Sequence, residues 1–287
     1  GFWGCQILYS DHCTVDGLII NNNIGGRGPS TDGIDIDSST NILIENCEID
    51  CNDDNICLKA GRDADGLRVN RPTENIVIRN CTVHKGGGLI TCGSETSGGI
   101  RNVLAHDLKA FGTSNVLQLK SAMTRGGVIE NIYITRVEAK NVRRIFGADP
   151  NWNPKYSYST LPENYKGKEL PEHWKVMLTP VIPSEKGFPH FRNIYLSQVK
   201  ATNVQEFISI SGTSDSLRLE NFYLHAIEAQ AQKAGMIRFT RNFNATEIKL
   251  AVPEPRSMLL EENEQSNIRI EYVKTVSNQN IVENQAN

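Results

Sequence analysis

One phrase recurs along this chain and limits what it can fold into. Asn41-Ile-Leu-Ile-Glu-Asn-Cys47 returns as Asn75-Ile-Val-Ile-Arg-Asn-Cys81. Weaker copies follow at Asn102-Val-Leu, Asn131-Ile-Tyr-Ile, Asn193-Ile-Tyr-Leu and Asn221-Phe-Tyr-Leu, and an earlier one stands at Gly17-Leu-Ile-Ile. Apart from one longer gap the spacing is about 24–34 residues, the period of a solenoid whose units bury their apolar faces on one another. The alternation of Ile, Val and Leu makes each copy a short strand.

A second strand family lies between the copies: Gly33-Ile-Asp-Ile-Asp37, Asn55-Ile-Cys-Leu-Lys59, Gly88-Leu-Ile-Thr-Cys92, Asn115-Val-Leu-Gln-Leu-Lys120 and Glu206-Phe-Ile-Ser-Ile210. Two or more short strands per turn, joined by polar turns, predict an all-β fold, a single-stranded parallel β-helix with coils stacked about 4.8 Å apart. Ile, Leu and Val point inward, and the outward positions of the second family are expected to form a ladder open to solvent. A leucine-rich repeat is the structural rival, but its Leu framework and helical half-repeat are absent.

The β-helix is expected to span residues 1–274, with further coils ahead of residue 1 because the chain opens in mid-repeat. An aromatic-rich insertion is expected at about 144–190, holding Trp152, Tyr156, Tyr158, Tyr165 and Trp174. A loop this long is usually functional. It reads either as a side lobe offering rings to sugars or as a cap packing its own core. A polar tail is expected over 275–287.

The net charge of −3 lacks the basic footprint that a nucleic-acid partner wants. Any acidic polysaccharide must then be met by locally placed Lys and Arg. No apolar run approaches the ~20 residues that cross a bilayer. The expectation is a soluble monomer without membrane insertion, secreted or periplasmic, whose signal peptide is not present in this chain. The seven Cys show no zinc-like spacing. They read as buried small hydrophobes, with a disulfide between neighbouring coils, for example Cys47 with Cys81, as the alternative.

The acidic words are Ser30-Thr-Asp32-Gly33 and Cys51-Asn-Asp53-Asp54-Asn55. Aligning the strands that follow them puts Asp32 and Asp54 on one rung of adjacent coils, with Asp53 one residue earlier. Like charges this close raise one another's pKa, so one carboxyl can keep a proton while the others stay charged. Such a set suits glycoside hydrolysis, in which an acid protonates the leaving oxygen and a base activates water. Turn chemistry and a calcium site are the alternatives for the same words.

Ser-Thr-Asp32-Gly-Ile-Asp, Asn-Asp53-Asp54-Asn-Ile-Cys-Leu-Lys59, Gly61-Arg-Asp-Ala-Asp-Gly66 and Gly93-Ser-Glu-Thr-Ser-Gly-Gly-Ile-Arg101-Asn102 together resemble the polygalacturonase-like glycoside hydrolases of family 28, especially bacterial members. The resemblance runs from about Phe2 to Asn203. It implies a right-handed β-helix, an inverting mechanism, pectic substrates containing galacturonate, and neither metal nor cofactor. It makes Asp53 the general acid, and Asp32 and Asp54 the pair that holds and deprotonates water.

Two departures from the family words stand out. Gly86-Gly87-Gly88 replaces Gly-His-Gly, and Gln118-Leu-Lys120 replaces Arg-Ile-Lys. A neutral amide cannot match the bidentate grip of Arg on a carboxylate. Rhamnogalacturonan hydrolases share the family, lack that His, and cleave beside a neutral sugar, so a rhamnogalacturonan-type substrate is expected over plain homogalacturonan. Lys120, Gln118, Lys59, Gly87 and Arg62 are the substrate-binding candidates. Arg125 is expected to extend a basic rim. Arg101, Glu95 and His84 are nearby residues without an assigned role. The rival functions are a non-catalytic carbohydrate-binding β-helix and a β-helix polysaccharide lyase.

Overall fold

The computed structural model describes residues 3–23, 30–255 and 257–274, so the expected tail at 275–287 lies outside the described residues. The first coil is made by β1 (Trp3–Leu8), β2 (Asp11–Asp16) and β3 (Ile19–Asn21), the second by β4 (Asp32–Asp37), β5 (Thr40–Glu45) and β6 (Glu48–Asp50). The third holds β7 (Ile56–Lys59), β8 (Thr73–Arg79) and β9 (Thr82–His84), with the short helix α1 (Asp63–Val69) between β7 and β8. Longer strands then run around the corners: β10 (Gly88–Cys92) with β11 (Ile100–Phe111), β12 (Asn115–Lys120) with β13 (Val128–Lys140), and β14 (Arg144–Asp149) with β15 (His190–Ser211). The 34-residue β16 (Leu219–Val252), β17 (Leu259–Glu264) and β18 (Asn267–Lys274) complete the stack.

Every pairing between these strands is parallel, and together they form one 18-stranded sheet coiled on itself. This is the all-β parallel β-helix, with the right-handed sense that parallel crossovers take. Its core is the inward column of each face. On the face that carries the acidic words this column is Ile34, Ile56, Ile90, Leu117, Phe146 and Ile208, all essentially inaccessible. Burying each such side chain contributes about 1.5–3 kcal/mol.

The asparagine that opens each repeat has a physical reason. Asn41, Asn75, Asn102, Asn131, Asn193, Asn221 and Asn242 all sit at φ between +55° and +58°, the left-handed region that turns one face into the next. Asn tolerates that region better than other residues with a Cβ. Their amides stack, each Nδ2 donating to the Oδ1 of the coil before, from Asn75 onto Asn41 (3.1 Å) through to Asn242 onto Asn221 (2.8 Å).

Two expectations are corrected. The outward ladder is not open to solvent: Asp35, Cys57 and Thr91 are inaccessible and Gln118 nearly so. The insertion starts later, since Arg144–Asp149 continue the ladder as β14, and it runs from 150 to 189 with the helices α2 (Pro154–Ser157) and α3 (Glu172–Met177). The cysteines are as expected rather than as in the disulfide alternative: all seven are free, and Cys47 and Cys81 are buried in the core as thiols. The Gly61–Gly66 word leads into α1, an element the repeat pattern gave no hint of.

Candidate active site

Ile34 pairs with Ile56, and Gly33 N donates to the Asp54 carbonyl at 2.9 Å. Counting back from that register places Asp32 and Asp54 on the same rung of adjacent coils. Both are buried, whereas Asp53, one step earlier where the chain turns, is half-buried. The three carboxyls therefore differ in surroundings although they share a corner.

Asp54 is saturated with donors. Its Oδ1 accepts from Gly88 N (2.8 Å) and Thr91 Oγ1 (2.7 Å), and its Oδ2 accepts from Lys120 Nζ (2.7 Å). Burial alone would raise its pKa, but the Lys120 ammonium and these hydrogen bonds outweigh burial and hold it below the usual carboxylate range. Asp32 is the opposite case. Burial raises it, and only Lys59, 3.4 Å from its Oδ2, pulls the other way strongly. Asp53 accepts from Asp54 N at 2.9 Å and from the Ser30 hydroxyl.

Two lysines bracket the carboxylates. Lys59 and Lys120 lie on one outward column, two coils apart, with Gly93 between them. Lys59 faces Asp32 (3.4 Å), Asp35 (3.5 Å) and Glu95 (3.4 Å), under the Trp3 ring at 5.1 Å. Lys120 is backed by the Trp152 ring at 4.5 Å. Glu95 would be raised by burial, but Lys59 and Arg125 bring it down to about 2.

Glycine at 87 has a steric reason here. A Cβ on Gly87 would lie 2.4 Å from Asp54 Oδ1, so the loss of the family's His side chain goes with a carboxylate packed against the backbone. Gln118 is buried; its Nε2 donates to the Leu119 carbonyl at 3.3 Å, and its Oε1 crowds Gly147.

Arg62 is not turned to the carboxylates. It holds Asp63 (3.0 Å), the Ser157 carbonyl (3.1 Å) and Ser159 Oγ (2.8 Å), tying down the insertion. Arg125 forms no rim: it is 1% exposed and spans Asp63 and the carbonyls of Ser94 and Ser157. His84 pairs with Glu48 on another face, and Arg101 pairs with Glu74. The residues the sequence reading passed over are Asp35, Cys57, Thr91 and Trp3. Asp35 and Cys57 occupy the same alternating words as the triad, which was the available signal.

Asp32, Asp54 and Cys57 bring one donor atom each within 4.8 Å of one another. This is a poor cage for a hard cation. Its carboxylates already face lysines, and burial pushes the Cys57 thiol far up, keeping it neutral.

Comparison with known proteins puts this geometry in context. Residues 4–155, just over half of the chain, match the family described as glycosyl hydrolases family 28. The chain belongs to that family. Over 170 residues it is 34% identical to a probable polygalacturonase of Vitis vinifera, covering 59% of this chain and 33% of the relative. It is 33% identical over 158 residues to an endo-polygalacturonase of Pectobacterium parmentieri, covering 55% and 35%. The exopolygalacturonase structure from Thermotoga maritima superimposes with a TM-score of 0.59 at 26% identity, covering 93% of this family member and 50% of that chain. The chain thus spans about a third of the length of these curated relatives.

Proposed function

We propose that this chain carries the active site of an inverting glycoside hydrolase that cleaves galacturonate-containing pectic polymers outside the cell. The observation that carries the reading is the division of the triad: Asp32 and Asp54 stacked and buried, Asp53 offset and half-buried.

The roles follow from those surroundings. Asp53 is the carboxyl a glycosidic oxygen can approach, so it protonates the leaving group. Asp54, saturated and held ionised by Lys120, orients water without taking its proton. Asp32, whose burial makes it the more basic of the stacked pair, takes the proton as water attacks from the side away from Asp53. Lys59 and Lys120 are the ammonium groups beside the triad, and both are paired with its carboxylates.

The expected lean toward rhamnogalacturonan rests on Gly87 and Gln118 alone. The relatives above are named polygalacturonases, which supports a galacturonate backbone as the first substrate to try. A product screen on homogalacturonan and on rhamnogalacturonans I and II, read by mass spectrometry, tests this. Saturated galacturonate products without added calcium are expected. Calcium-dependent unsaturated products would make the chain a lyase, and binding without turnover would make it a carbohydrate-binding β-helix.

A further inference from the structure

One carboxyl beside the triad has no part in this scheme. Asp35 on β4 is completely inaccessible, and among the described residues no donor makes a hydrogen bond to either of its oxygens. An ionised Asp35 would be a buried anion whose nearest cation, Lys59 at 3.5 Å, is shared with two other carboxyls, which is costly.

Among the described residues the charges around it are few. On its own strand stand Asp32 and Asp37, and the Asp37 carboxylate is occupied by Ser38 Oγ and Gly61 N. From β1 the facing residue is Gln6, and from β7 it is Cys57, a neutral thiol, with Lys59 two residues on. Glu95 closes the group across Lys59. One ammonium therefore faces the carboxyls of Asp32, Asp35 and Glu95 at 3.4–3.5 Å. Arg125, 3.8 Å from Glu95, is shared with Asp63, which Arg62 also holds, and Lys120 is committed to Asp54. Among the described residues, the three cations Lys59, Arg62 and Arg125 face the four carboxyls of Asp32, Asp35, Asp63 and Glu95, which leaves one carboxyl to be neutralised by a proton.

We propose that Asp35 carries that proton and is a positioning residue, donating a hydrogen bond to the Asp32 carboxylate so that the base stays charged and aimed at water. Burial above all, with Asp32 adding to it and Lys59 opposing, pushes Asp35 up to about 9, so it is neutral across the working range of a hydrolase. The inference deepens the hydrolase reading of the same site and rests on it for the consequence in catalysis, but the proton itself is measurable without substrate.

Carboxyl carbon NMR on aspartate-labelled protein, wild type and Asp35→Asn, tests the proton directly. A resonance titrating near 9 that vanishes in Asp35→Asn is expected. If every aspartate titrates below about 5, or if the high-titrating signal survives in Asp35→Asn, the proposal fails. Kinetics test the positioning role. Asp35→Ala should lower kcat about tenfold or more, the worth of a hydrogen bond to a charged group. Asp35→Asn, which keeps a neutral donor, should recover most of that loss and abolish the break near pH 9. An unchanged alkaline break in Asp35→Asn overturns the role. A wild type with no turnover sinks the hydrolase reading and leaves the NMR result to decide the proton.

Discussion

Lys120 reaches back across two coils to place its Nζ 2.7 Å from Asp54 Oδ2, with the Trp152 ring 4.5 Å behind it. The pair is almost wholly buried, and both partners gain from it: Asp54 is held down and Lys120 is raised.

Lys120→Met should therefore leave a buried carboxylate without its cation. Removing one partner of a buried pair costs about 3–5 kcal/mol, measurable by denaturant unfolding. Without Lys120, burial dominates Asp54 and its pKa rises. The acid limb of the kcat profile should then move to higher pH. A profile that does not move would show that Asp54 is held ionised by its other donors alone.

Gly87→Ala should harm both fold and site. The added carbon would lie 2.4 Å from an oxygen that Gly88 N and Thr91 Oγ1 hold in place. Overpacking of this kind costs about 1–3 kcal/mol, and a displaced Asp54 should lower kcat more than it raises KM. Restoring the family's histidine with Gly87→His is expected to lower activity for the same reason. A gain in activity would show that Asp54 can shift without loss.

Glu95 links the site to pH-dependent stability. Its folded-state pKa is about 2, below the ordinary value of 4.5, because Lys59 and Arg125 outweigh burial. The stabilisation is present above 4.5 and is lost as pH falls toward 2. Glu95→Gln should melt below the wild type at pH 7, and the two should converge over that acid window. A difference independent of pH would mean that packing, not charge, accounts for Glu95.

The fold was legible in the sequence because one physical constraint repeats. Each coil needs a residue that accepts a left-handed corner and an apolar strand behind it, and Asn41, Asn75 and Asn102 announce both. Register followed from the same words, which is why the rung shared by Asp32 and Asp54 could be read by alignment. The surroundings of the site could not. Whether Arg62 and Arg125 serve substrate or hold the insertion depends on where a 40-residue excursion packs. No repeat encodes that. Arg125 contacts Asp63 and Ser157 across 62 and 32 residues, separations at which local pattern carries no signal.

In the proposed mechanism Asp53 protonates the leaving group while the stacked Asp32 and Asp54 direct water from the opposite side. Proton NMR of the first product formed from polygalacturonate, with wild type and Asp53→Asn side by side, tests it most directly. The new reducing end should have the anomeric configuration opposite to that of the bond cleaved, and Asp53→Asn should lose about 10²–10⁴-fold in rate while melting like the wild type. Retained configuration, or undiminished turnover in Asp53→Asn, would contradict it.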